Sequence, residues 1–336
     1  MNDGRILIFA FSGLAVLFLR RFCERIISVS TQQRPQRMHT VPQSYLEAFA
    51  VDDPGRRTPG VWRFDRISGE VKILGIRDIE VVKDIYTVYD DDGAPDTGIE
   101  TILCTVENDF SHARKSVLDQ DLSSKDMALA LSKDHWAATA KFVAAQLLRT
   151  PRAFQSMRDT LTAKGTEYDD NAPQVVMLEL IQRWILRLAR MRGMIGYGTD
   201  MPLLTSDNPA VAWKQQGEGF DGATQHDPDL AVSCPLSPTM IFSAFQTRES
   251  LQAVEAERND IPSAERPSEK FRSHVDVGIL PHREVKRLNA LCVTNLHRYV
   301  YANYCGKPLL TFLRNRFFGK PAPVPARDLK PIGSPI

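Results

Sequence analysis

The sequence lacks a dominant charge: 42 basic residues face 41 acidic ones, a net of +1 over 336 residues. No broad basic field therefore marks duplex nucleic acid as a partner. Paired cysteines are missing too. Cys23, Cys104, Cys234, Cys292 and Cys305 are scattered and never form C-x-x-C. That speaks against a disulfide framework or a structural zinc site, so no disulfide partners are expected, and it suits a reducing cytosol. H-E-x-x-H, G-x-S-x-G, Walker A and zinc-knuckle patterns are absent, and no internal repeat is present. What is there is ordinary: 43% hydrophobic and 25% charged residues, enough for a folded domain of α+β type.

The chain also lacks an apolar run of bilayer length. Ile6–Leu19 is stopped by Arg20 and Arg21, and fourteen helical residues span roughly 21 Å against the roughly 30 Å of a bilayer core. Residues 1–37 carry six basic and two acidic residues, a net of +4, which leaves −3 for the remainder. This extension reads as an anchor, a signal or sequence upstream of a start at Met38. Two localisations follow: cytoplasmic, or held at a membrane through residues 6–27 with the domain in the cytoplasm. Residues 28–37 read as linker and the proline-containing residues 319–336 as a tail, which leaves a single domain over 38–318.

The stretch that organises this domain is Leu122–Arg152, which reads as one long helix with Ser123 as N-cap and Asp126 completing a capping box. From Ala137 to Thr150 only Lys141 and Arg149 are charged, so protein must cover much of it. Gln146 and Arg149 share a face three residues apart, and Thr150-Pro151 breaks the helix behind them. A buried guanidinium needs an acid. Gly98–Val117 reads as a helix with Glu100 and Glu107 seven apart on one face, and Glu107 is the natural partner of Arg149.

Elsewhere, Gly60–Leu74 reads as a hairpin turning at Arg66–Gly69, and Val81–Tyr89 as a further β-like stretch before a solvated acidic turn at Asp90. Pro151–Lys164 and Gln174–Arg192 read as helices. Arg183, Arg187, Arg190 and Arg192 crowd the end of the second, where solubility and the helix dipole explain them more cheaply than a phosphate does. Short strands are expected at Met194–Gly198, Leu203–Thr205 and Ala210–Lys214. Ser206-Asp207-Asn208-Pro209 forms a tight turn between the last two, with Asp207 either capping that turn or serving a site. Gly217–Gly222 matches G-x-G-x-x-G, but no helix pattern follows, and His226 with Asp229 in the same loop could touch a metal but reads more simply as a solvated pair. Two strands are read in Leu230–Phe245, a charged insertion in Glu249–Lys270, and a closing helix in Arg283–Tyr304.

Several of these segments carry a family resemblance. His39, Pro42 and Tyr45-Leu46-x-x-Phe49 resemble the opening of a bacterial and fungal family catalogued as domain of unknown function 4238. Trp62-Arg-Phe-Asp65-Arg, Ile99-Glu100 to Val106-Glu107, Phe142–Pro151, Leu204–Pro209, Asn289 and Arg298–Tyr301 follow in the family's order. The resemblance runs from His39 to Tyr301, supports a start at Met38, and implies no activity.

Two functions are expected from the residues. The first is a hydrolase, in its sharpest form a metal-dependent nuclease acting on phosphate esters. Glu107 and Asp207 would hold Mg²⁺ or Mn²⁺, His39 or Glu100 would move protons, and Arg149, beside Gln146, would steady a phosphate. The second is a non-enzymatic ligand- or partner-binding protein in which the same groups form a buried structural network.

Overall fold

A computed structural model describes residues 37–51, 55, 57–90, 92–119, 128–130, 132–163, 169–198, 201–214, 229–247 and 274–318. Residues 1–36, Ser123, Asp126, the G-x-G-x-x-G segment, His226, the 249–270 insertion and the tail from Lys320 lie outside them.

Strand β1 (Arg37–His39) leads into a short helix α1 (Gln43–Leu46). The hairpin β2 (Gly60–Asp65) and β3 (Val71–Gly75) follows, then β4 (Val81–Lys83) and a small pair β5 (Val88–Tyr89) and β6 (Pro95–Asp96). Helix α2 (Gly98–Leu118), strand β7 (Ala128–Ala130) and helices α3 (Lys133–Leu148), α4 (Pro151–Ala163) and α5 (Ala172–Arg190) fill the middle. The last third holds β8 (Arg192–Gly198), β9 (Thr205–Ser206), β10 (Val211–Lys214), β11 (Leu230–Pro235), β12 (Met240–Phe245) and β13 (His274–Leu280). Helix α6 (His282–Asn295), β14 (Tyr299–Ala302) and α7 (Lys307–Phe318) close the chain.

The architecture is α+β with mostly antiparallel sheets. One sheet has the order β10-β11-β12-β8-β13-β7, in which only the β13–β8 pair is parallel. Strands β11 and β12 are buried on both faces, so alternate residues feed two cores. Ile195, Val232, Cys234 and Phe242 join the core of helices α2–α5, whereas Met194, Ala231 and Ile241 pack on α6 through Val285, Leu288 and Leu291. Gly193 lets α3 close on the sheet, because a Cβ there would lie 2.2 Å from the Trp136 ring.

The second sheet, β3-β2-β14-β9, likewise divides two layers. Phe64 and Val300 face Cys292, Leu296, Leu309 and Leu313 of α6, α7 and the loop after α6. Val61, Leu74 and Tyr301 face the main core with Tyr45 and Phe49. Arg63 pairs across the ladder with Tyr301, and Tyr301 with Thr205, so this inner face carries a polar row as well. The two-stranded ribbon β1–β4 meets this face where the Tyr301 hydroxyl donates to Glu80, the residue before β4.

Two expected helices are shorter than their patterns. The helix read from Leu122 begins at Lys133, where the Ser132 hydroxyl accepts from the His135 amide at 3.1 Å, while Ala128–Ala130 forms an edge strand on β13. Pairing with His274–Asp276 satisfies one side of that backbone. The closing helix stops at Asn295 rather than Tyr304. Asp207 captures the amides of residues 297–299, and Tyr299–Ala302 goes to β14 instead. Apolar periodicity through Leu296 and Val300 conceals that switch.

Candidate functional site

Arg149 ends α3, its amide bonded to the Ala145 carbonyl at 2.9 Å, just before Pro151 opens the next helix. Only 1% of it is exposed. Three segments converge on its fork. Nη1 donates to Glu107 Oε1 at 2.5 Å, Nη2 to the backbone oxygen of His39, and Nε to the Tyr86 hydroxyl at 3.2 Å. Tyr86 returns its own proton to the Arg149 carbonyl at 2.9 Å. Burial alone would lower the Arg149 pKa, but Tyr86 and Glu107 outweigh it and raise the value above the ordinary one. Every guanidinium nitrogen is thus engaged by the protein.

His39 stands beside this fork. Its Nδ1 donates to the Ile79 carbonyl at 3.0 Å, which leaves Nε2 to accept from the Gln43 amide at 2.6 Å. Burial lowers its pKa, which favours the neutral ring. Glu100 sits one face-repeat before Glu107 on α2. Burial raises its pKa, and the Glu107 charge adds to that shift while Arg149 opposes it. Its Oε2 is buried with no hydrogen-bond partner, and neither atom of the fully buried Gln146 amide has one. Next to Glu100, the Cys104 thiol is pushed up to about 11 by burial and then by Glu100.

Asp207 belongs elsewhere. Its Oδ1 accepts from the His297 amide at 2.8 Å, and its Oδ2 from the Arg298 and Tyr299 amides at 2.5 and 2.8 Å. The turn it stands in is closed by Ser206 instead, whose hydroxyl accepts from Asn208 N at 3.1 Å and donates to Asn208 O at 2.9 Å. Glu107 and Asp207 therefore have different partners, and among the described residues no group of three or more His, Cys, Asp or Glu side chains is placed to hold a metal. Of the expected site residues, His39, Glu100, Glu107 and Arg149 interact in one centre, with Gln146 one turn before Arg149 on α3.

A second centre, built on Glu80, escaped the sequence reading. Glu80 takes a left-handed backbone conformation, φ +53°, which a side chain with a Cβ rarely adopts. Its Oε1 accepts from the buried Tyr301 hydroxyl, and its Oε2 from Thr40 Oγ1 at 3.2 Å. Burial first, then the nearby Asp207 charge, push its carboxyl up to about 7. The one sequence signal was a lone acid inside Ile79-Glu80-Val81-Val82, an apolar run.

The arginines at the end of α5 do not form a free cluster. Arg187 is buried, and Arg192 pairs with Asp276 at 2.5 Å. Arg298 is likewise committed, with Nε and Nη2 on Asp65 Oδ2 at 3.0 and 2.7 Å. Among the described residues no helix is long and apolar enough to cross a membrane.

No curated protein and no solved structure matches the chain. A family model described as "Protein of unknown function (DUF4238)" matches residues 37–174 and 157–304, which together span both polar centres, and the chain belongs to that family.

Proposed function

We propose that the chain is a hydrolase whose acid–base pair is Glu100 and Glu107, held on one face of α2 beside Arg149 and the ring of His39. The contrast between the two carboxyls carries the reading. Glu107 is bonded to a guanidinium at 2.5 Å. Glu100 is shifted towards its acid form by burial, with one oxygen unpartnered. Two carboxyls with divergent environments suit one group that donates a proton to a leaving group and one that draws a proton from water. His39 is held in place beside this pair by Gln43 and Ile79. Because Arg149 already donates from all three nitrogens, an ester needing no additional cation fits this centre better than a phosphodiester. The proposed steps use only these side chains.

A second reading has its own support: Arg149 joins β1, Tyr86 and α2, as a purely structural tie in a non-enzymatic binding protein would. The test is hydrolysis of nitrophenyl acetate, nitrophenyl phosphate and single-stranded nucleic acid by wild type, Glu100→Gln and Glu107→Gln, with melting curves of each. The proposal expects carboxylic-ester hydrolysis that falls about 10²–10⁴-fold in Glu100→Gln at unchanged melting temperature. Turnover equal in wild type and Glu100→Gln, or none in any protein, sinks it and favours the structural tie.

A further inference from the structure

We propose that Glu80 is a proton-operated latch that sets the position of the His39–Thr40 segment against Arg149. The inference stands apart from the hydrolase reading, since it concerns how one centre is coupled to the other.

Geometry carries it. The Glu80 side chain ties the end of the β1–β4 ribbon to the inner face of the four-stranded sheet. One carboxylate oxygen takes the Tyr301 hydroxyl of β14, and the other takes the Thr40 hydroxyl beside β1. The left-handed backbone at Glu80 aims its carbonyl back at Thr40, whose amide donates to it at 2.9 Å. Such strain persists only where the surroundings over-determine it, and it gathers at functional positions. One residue back along both segments, His39 donates from its ring to the Ile79 carbonyl, while its backbone oxygen accepts from Arg149 Nη2. The two polar centres are thus joined through the contact of 39–40 with 79–80.

The Thr40 hydroxyl has two acceptors on Glu80, the carboxylate Oε2 at 3.2 Å and the backbone oxygen at 3.4 Å. When Glu80 is ionised, the carboxylate is the stronger acceptor and holds both hydroxyls. When it takes a proton from solvent, its O–H becomes a donor, and the Thr40 hydroxyl turns to the backbone oxygen. The carboxyl then donates to Thr40 Oγ1 or Tyr301 Oη. One proton is bound and hydrogen bonds reverse direction. The groups that face this carboxyl are Asp207 after β9, Tyr301 on β14, Arg63 on β2 and Thr40. Burial and Asp207 favour the protonated form; Tyr301, Thr40 and Arg63 favour the ionised one, and the balance lies near neutrality.

The experiment is an NMR titration of the full chain from pH 5.5 to 8.5, following the Glu80 carboxyl carbon, the His39 and Thr40 amides and the Arg149 Nε–H. Wild type is expected to show all four moving with one shared midpoint near 7. In Glu80→Gln, whose amide keeps the shape and can still accept from Tyr301, the shared movement is lost. In Tyr301→Phe, which removes a donor to the ionised form, the midpoint rises. If the Glu80 carbon titrates while the His39 and Thr40 amides and Arg149 stay still, the group is an isolated acid and the latch is wrong. A carbon that does not titrate in this range overturns it equally, and wild type alone decides both cases.

Discussion

The Arg149 centre and the Glu80 centre lie at either end of one short contact, yet they bury charge in opposite ways. Arg149 carries a permanent charge, meets an opposite charge, and has every nitrogen bonded across three segments. Glu80 carries a charge that can be removed, lies near the like charge of Asp207, and holds a strained backbone. A buried ion is tolerated when it is paired or when it can neutralise itself. The first solution makes a fixed joint, and the second makes a joint that responds to pH.

Breaking the fixed joint should have the largest effect. Arg149→Ala strands Glu107, Tyr86 and the His39 carbonyl and should cost about 3–5 kcal/mol in urea unfolding. Arg149→Lys should recover little of it, since one ammonium cannot reproduce the fork. A loss below about 1 kcal/mol would place Arg149 among weak surface-like pairs.

Asp207→Ala removes the acceptor of three amides and should cost about 2–3 kcal/mol. It should also lower the midpoint of Glu80 by taking away a like charge. An unmoved midpoint in the NMR titration would uncouple the two acids.

Deleting one buried hydroxyl from each centre sharpens the contrast further. Tyr86→Phe should cost about 1 kcal/mol at every pH, because the charge it supports does not titrate. Tyr301→Phe should change the pH dependence instead, moving the Glu80 midpoint up. Identical pH profiles for the two variants would erase the distinction. The smallest effect serves as a control: Ser132→Ala removes the N-cap of α3, outside both centres, and should cost about 1 kcal/mol without changing the pH profile.

The fixed joint was legible in the sequence, and the responsive one was not. Arg149 announces itself as a charge on an apolar helix before Thr150-Pro151, and Glu107 as an acid on an apolar-sided helix, so their pairing follows from the cost of leaving either alone. The hairpin at 60–75 and helices α2 and α5 were legible for the same local reasons, alternation and helical spacing. Asp207 was visible as a special residue, but its partners lie about ninety positions away at His297–Tyr299, so a turn cap was the local reading. Glu80 gave no local sign of its left-handed backbone. Its partners Thr40 and Tyr301 come from the two ends of the domain, and only the fold brings them together.

The most direct test is unfolding free energy against pH, from 4.5 to 8.5, for wild type and Glu80→Gln. The folded-state pKa of Glu80 is raised from 4.5 to about 7, so between these values the native state holds a proton that the unfolded chain has lost. Stability from this group is therefore present below about 4.5, falls as pH rises through about 7, and is flat above. The account predicts that Glu80→Gln lacks this decline and gains on wild type with rising pH, by at most about 3 kcal/mol at pH 8. Parallel curves for the two proteins would contradict it, leaving Glu80 as fixed a joint as Arg149.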